Sequence, residues 1–418
     1  MILAKISDLL KKPMTRNFGA LVLLQGVNYL LPLLSFPFLV RVLGVERWGL
    51  VSFGYTFIQY FVLFSDFGFN LSATKYISIH RDDEERINRY LNSAFICRIF
   101  LGLLGFILLL ILISTIGRFR QDAAFYLMYF GIVAGNIMFP MWFFQGMEKM
   151  KYITIFNAVA KLISFIPFFI FIRKPDDYIL VPLFYTTGYV FAGLISIYII
   201  YFKERMKWFF PTLAEIKFAF RDSSTYFLSR ISVSIFTYSN VFVLKLVCGN
   251  TAVGYYSAAE KLYQAYNQLL TPFTGVLFPH MAKTRDIHFF KKIFKRITSI
   301  NIFLLIGLLL ASYWIIQVIY GQAAQAGSLT VFRILLFGCF FTIPSILLGY
   351  PFLAAIGYFS YTNWTVFIVS LFHLLGLTLL FFSGYLTINT VAALVILAEL
   401  LLFTFRARAI VHYKLFER

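Results

Sequence analysis

The chain has 418 residues, of which 60% are hydrophobic, 20% aromatic and 13% charged, and it carries a formal net charge of +19. So apolar a composition excludes a water-soluble globular enzyme and predicts an all-α integral membrane protein. The positive charge comes with no nucleic-acid motif and follows membrane topology instead, so no nucleic-acid partner is expected.

Apolar runs of spanning length, parted by short charged breaks, predict twelve transmembrane helices. They cover 17–40, 49–77, 91–115, 123–145, 152–172, 178–202, 223–247, 252–282, 297–320, 327–350, 361–382 and 388–405. Lys5, Lys11, Lys12 and Arg16 precede the first, which is too long for a signal-peptide core and lacks a small-residue cleavage site, so it is expected to remain as a span. The longest breaks, 203–222 and 283–296, read as amphipathic interfacial segments, with Trp208, Phe209 and Phe210 as anchors in the first. With the N-terminus inside, twenty-five of the 37 Lys and Arg residues fall on the inner side, Arg406 and Arg408 among them, and six on the outer side. Both termini are therefore expected in the cytoplasm.

Four of the helices carry polar stripes. Gln25, Asn28, Pro32 and Ser35 recur at intervals of three and four, and Gln59, Asp66, Asn70 and Thr74 at seven and four, so each set shares one helix face. Hydrocarbon cannot hydrogen-bond such groups, so the stripes must face other helices or water, and two of them side by side predict a polar cavity. A shift of 205 residues aligns Arg16 with Arg221, Gly44 with Gly249, Gly49 with Gly254, Ser52 with Ser257 and Gln59 with Gln264. The stripes return as well, as Tyr226, Arg230, Ser234 and Thr237, then Glu260, Gln264, Gln268 and Thr271. The chain is thus expected to form two pseudo-symmetric six-helix lobes, residues 1–205 and 206–418, as parallel copies.

Ionisable residues inside spans each cost about 2.5–3.5 kcal/mol at mid-helix, so they need a reason. Here they are Asp66, Arg98, Lys161, Arg230, Lys245, Glu260, Lys261, Arg333, His373 and Glu399. Cations predominate, and a cationic interior would draw in a lipid-linked phosphate or diphosphate. Arg98, about two turns from its helix end, is expected to snorkel to the interface, and Lys245 and Arg333 lie near enough to the outer interface to do the same. Lys161, mid-helix with Asn157 and Ser164 on its face, serves either the cavity or an internal ion pair. Arg230 and the adjacent Glu260 and Lys261 are the foremost lumen candidates; the last two either neutralise each other or address different neighbours. Asp66 is either a counter-ion or a proton- or Na⁺-responsive carboxylate. His373 is expected to be hydrogen-bonded packing, and Glu399 to pair across helices.

No phosphate-binding Gly-rich loop, His-Glu-x-x-His or Cys/His cluster occurs, so neither a metal nor a cofactor is expected, and no enzyme. Cys97, Cys248 and Cys339 fall in apolar stretches and read as packing residues. The acidic groups Asp82-Asp-Glu-Glu85 and Asp176-Asp177 read as solvated loop chemistry rather than a sugar-nucleotide site.

Four segments then carry a resemblance: Gln25-Gly-Val-Asn-Tyr-Leu-Leu-Pro32, Arg41-Val-Leu-Gly-Val-Glu-Arg-Trp-Gly49, Ser65-Asp-Phe-Gly-Phe-Asn70 and Gly254-Tyr-Tyr-Ser-Ala-Ala-Glu-Lys261. Over essentially its whole length the chain resembles the Wzx-type O-antigen flippases, in the polysaccharide-transporter branch of the superfamily that also holds the multidrug and toxin extruders. The resemblance implies two lobes rocking about a central cavity lined by spans one, two, seven and eight. It implies transfer of an undecaprenyl-diphosphate-linked oligosaccharide from the cytoplasmic to the periplasmic leaflet of the bacterial inner membrane. Its partners would be membrane lipid and the polysaccharide polymerase and chain-length machinery. On the stripes and charges, Arg230, Lys261 and Lys161 are expected to hold the diphosphate, Gln25, Asn28, Gln59, Asn70 and Gln264 to line the polar lumen, and Asp66 or Glu260 to sense a coupling ion. The rival readings are a multidrug exporter of the same superfamily and an integral-membrane polymerase or acyltransferase.

Overall fold

The computed structural model describes the backbone of residues 13–416; the side chains of 13–26, 28, 29, 228–230, 232, 233, 235, 236, 272, 323 and 325 lie outside the described set. All secondary structure among the described residues is helical, as lipid demands of a spanning chain that must satisfy its own backbone polar groups. Among the described residues, eight helices are long and apolar enough to cross a membrane. Outside these eight, the two longest helices are each a pair joined at a glycine. Helix α1 (Pro13–Asp66) passes through Gly44 at φ 77°, and α9 (Leu213–Gln268) through Gly249 at φ 81°. Both glycines take a left-handed φ that any Cβ would penalise, and they stand at equivalent positions of the 205-residue repeat.

The chain divides into two compact units, one comprising the residues up to Ser35 with Ile58–Leu228, the other Phe36–Phe57 with Ser229–Arg418. The first unit holds α2 (Phe69–Ile79), α3 (Glu84–Thr115), α4 (Gly117–Gln121), α5 (Ala123–Met138), α6 (Met141–Gly146), α7 (Met150–Phe171) and α8 (Leu180–Tyr198). Small residues bring its helices into close contact: the Cα of Gly135 faces the Tyr189 backbone, and Gly188 faces the Ala160 carbonyl and Ser164. At one end of this unit an aromatic core forms around Trp142, Phe143, Phe144 and Phe156. The second unit holds α10 (Thr271–Thr284), α11 (Ile287–Tyr320), α12 (Gln322–Leu348), α13 (Phe359–Ser383) and α14 (Ile388–His412), with a π-turn at Gly349–Ala354 after α12. Phe290, Phe352, Leu347 and Ile410 are buried together there.

Three predicted spans are broken. The second ends at Asp66, because Phe67 and Gly68 both turn left-handed (φ 43° and 87°) and the chain restarts as α2. A Cβ on Gly68 would come within 2.6 Å of the Ser223 carbonyl, so close approach to the first turns of α9 holds the break open for glycine alone. The fourth breaks at Phe139-Pro140, between α5 and α6. The eighth breaks at Leu269-Leu270, with Pro272 in the first turn of α10.

The interfacial segments also take form. Residues 204–212 run as an irregular strap whose Lys207 is fixed at both backbone groups: its amide donates to Asn88 Oδ1 (2.9 Å), and its carbonyl accepts from Asn92 Nδ2 (2.9 Å). Trp208 and Phe210 remain exposed, as anchors should be. Glu215, in the first turn of α9, takes Arg89 Nη1 at 2.7 Å and the Thr212 amide at 2.7 Å, and the Arg89 guanidinium holds its carboxyl below the ordinary value. The second break shrinks to Arg285-Asp286, with Asp286 capping α11 through the Phe289 amide.

Candidate functional site

In the second unit the helix-turn segments 36–57 and 229–268 meet through reciprocal glycine contacts. A methyl group at Gly49 would overlap the Asn250 carbonyl, and one at Gly254 the Val45 carbonyl. The two glycines, and likewise their two partners, are separated by the same 205 residues as the sequence repeat, so the contact has pseudo-twofold character. It also orders the lumen candidate Lys261. The Lys261 ammonium lies 5.2 Å from the centroid of the Phe36 ring and 3.4 Å from Gln264 Oε1. An ammonium over an aromatic face is drawn to the ring without a fixed carboxylate contact, an arrangement suited to receiving an anion. Lys261 and Gln264 are both half-buried, three residues apart on one face, and Glu260 beside them is half-buried as well.

Elsewhere in this unit Asn240 Oδ1 accepts from His373 Nε2 at 2.8 Å, and its amide nitrogen donates to the Tyr256 hydroxyl at 3.0 Å. His373 is fully buried, the hydrogen-bonded packing expected of it. Lys245 bonds the Asn250 side chain and lies 5.6 Å from the Phe53 ring centroid. Arg333 is exposed and donates from Nε to Ser312 Oγ at 2.8 Å. Arg406, expected among the inner-face basic residues, is instead 5% exposed, with Nη1 donating to the Ser345 carbonyl (2.8 Å) and hydroxyl.

In the first unit Arg98 does not snorkel. It is 1% exposed, donates from Nη2 to the carbonyl and Oδ1 of Asn136 (3.1 and 2.8 Å), and lies 4.0 Å from the buried carboxylate of Asp66. The break after Asp66 turns that carboxylate inward to Arg98 while Asn70 starts a new helix, so the stripe 59–74 is not one continuous surface. Gln59, Asn70 and Lys161 are half-buried in this unit; one turn beyond Lys161, Ser164 is buried against Gly188 of α8. Gln25, Asn28 and Arg230 lie outside the described side chains.

The acidic groups have structural work. Asp83 caps α3 through the Arg86 amide, Glu85 pairs with Arg89 at 2.8 Å, and Asp177 accepts from the Arg173 and Lys174 amides. Among the described residues no cluster of His, Cys, Asp and Glu suits a metal ion, and all three cysteines are free.

The chain is 29% identical over 298 residues to an Escherichia coli (strain K12) protein that bears the name O-antigen transporter, a match covering 71% of this chain and 72% of that one. Its fold is that of a lipid II flippase, MurJ, in an inward closed conformation (TM-score 0.77, 13% identity, 94% of this chain and 87% of that chain). It is also that of an inward-facing multidrug resistance transporter of the MATE family (TM-score 0.67, 13% identity, 94% and 99%). The model of the family described as polysaccharide biosynthesis protein matches residues 14–285, and the chain belongs to that family.

Proposed function

We propose that this protein is a flippase that moves an undecaprenyl-diphosphate-linked oligosaccharide from the cytoplasmic to the periplasmic leaflet of a bacterial inner membrane. The observation that carries this reading is the Lys261 ammonium, held over the Phe36 ring next to Gln264 in a chain of the polysaccharide biosynthesis family. A diphosphate supplies the charge that such a cation lacks, and sugar hydroxyls pair with amide side chains. Relatives bearing O-antigen transporter names support the glycan class, and the flippase-like fold supports a lipid-linked cargo. If each limb of the kinked α1 and α9 is one more span, the eight candidate spans become twelve, in keeping with two six-helix lobes, 1–205 and 206–418, and alternating access between them.

Arg230 and Lys161 would assist Lys261, with Gln25, Asn28, Gln59 and Asn70 contributing to the lumen. Of the two coupling carboxylates considered, Glu260 is the better placed, because Asp66 already faces Arg98. The basic residues place both termini in the cytoplasm in this reading. The test is leaflet translocation of a lipid-diphosphate oligosaccharide in proteoliposomes, with protein-free and Lys261→Gln vesicles beside it. Movement in wild type that falls in the variant supports the proposal; no movement of the native glycan with or without an ion gradient rejects it.

A further inference from the structure

A second polar site lies wholly inside the second unit, at a cavity of about 770 Å³ between α10, α12 and α14. Two opposite charges line it, Glu399 and Arg406, seven residues apart on α14 and therefore on one face of that helix. The opposing wall on α12 carries Thr342 beside Glu399 and Ser345 beside Arg406, one turn apart and about 4.5 Å along the helix axis.

The guanidinium is built in. Its Nη1 is committed to Ser345, and it rests on Gly349, where a Cβ would come within 2.7 Å of Nη1. Gly349 opens the π-turn that follows α12, a local departure from helix geometry often found at functional sites. Yet Arg406 Nε is buried without a hydrogen-bond partner, a costly state for a charged group 95% removed from solvent. Glu399 faces the same space with no ion-pair partner within 4.0 Å among the described residues, and it is half-buried. Carboxylate and guanidinium thus border one cavity without closing on each other.

We propose that this cavity binds a phosphoethanolamine group, phosphate to Arg406 and ammonium to Glu399. A purely anionic diphosphate would be repelled by Glu399, and a purely cationic compound by Arg406; a ligand bearing both charges satisfies both walls. The volume exceeds what a headgroup needs, and beside the polar Asn267, Thr271 and Thr274 the lining includes Phe278, Ile346 and Leu402, which offer apolar surface to the start of an acyl chain. In a membrane protein the nearest source is a zwitterionic phospholipid; a soluble phosphoethanolamine compound presents the same chemistry. The site is independent of Lys261 and of the glycan reading, so failure of either leaves the other standing.

The test is native mass spectrometry of the full-length protein in detergent with equal phosphatidylethanolamine and phosphatidylglycerol. Glu399→Gln and Gly275→Trp are compared with wild type, and thermal unfolding confirms that each is folded. Gly275 lines the cavity, and an added Cβ there meets nothing within 4 Å, so the indole occupies the space without disturbing Arg406. Wild type should retain phosphatidylethanolamine over phosphatidylglycerol, Glu399→Gln should lose about tenfold of that preference, equivalent to one charge-assisted hydrogen bond, and Gly275→Trp should abolish it. Displacement of the lipid by soluble phosphoethanolamine supports the chemistry and assigns the soluble source. Equal retention of both lipids by wild type, or an unchanged preference in both variants, overturns the proposal.

Discussion

At the scale of single residues, the two cations with the sharpest environments are set to behave differently. Lys261 touches a ring and an amide rather than a carboxylate, so Lys261→Gln should lower translocation severalfold while leaving the thermal midpoint in detergent unchanged. Arg98 sits in the opposite situation, buried against Asn136 and the Asp66 carboxylate. Arg98→Gln should destabilise the protein by about 3 kcal/mol, since removing one partner leaves a buried charge uncompensated. Adding Asp66→Asn should recover part of that loss, readable as a partial return of the unfolding midpoint. Helix position alone made Arg98 look free to reach the interface, because snorkelling is judged along one helix, whereas the side chain answers to α5 across from it. Arg406 misled in the same way, from the other direction: a basic residue just beyond an apolar run reads as a topology marker until Ser345 and Gly349 enclose it.

At the scale of elements, the glycines of the repeat do the shaping. Gly254→Leu should destabilise the fold by more than the about 1–3 kcal/mol of ordinary overpacking, because the new Cβ meets the Val45 carbonyl and not a movable side chain. Thermal unfolding would register the loss, and Gly275→Leu, in open space, should show none of it. The strap 204–212 offers a pH lever. Glu215 is held below its ordinary value by Arg89, so its contribution is fully present above the unfolded carboxyl value of about 4.3 and fades as pH falls through the lowered folded value. Acid titration followed by Trp208 emission should show the strap loosening below pH about 4, and Glu215→Gln should remove that transition. The stripes were visible in sequence because period is local. The breaks at Gly68 and Phe139 were not, because what stops each helix is a neighbour or a proline-led turn inside an otherwise unbroken apolar run.

At the scale of the whole molecule, the proposed transport activity and the phosphoethanolamine site make separable demands. Proteoliposomes with and without phosphatidylethanolamine keep them apart: Lys261→Gln should lower translocation severalfold in every lipid mixture, whereas Gly275→Trp should change lipid retention. The transporter names of the relatives favour a carrier over a polymerase or acyltransferase.

Read along its length, the chain carries the membrane class, the all-helical character, the paired positions of Gly44 and Gly249, and the candidacy of Lys261 with its neighbour Gln264. All of these follow from composition, helical period and a 205-residue shift, which are properties of the chain read along its length. The pairing of Asp66 with Arg98, the Phe36 ring beneath Lys261 and the cavity shared by Glu399 and Arg406 exist only in the folded chain. In each case the partner is distant in sequence or the space between partners is lined by other helices, and burial and pairing in a low-dielectric interior depend on neighbours that no single helix specifies.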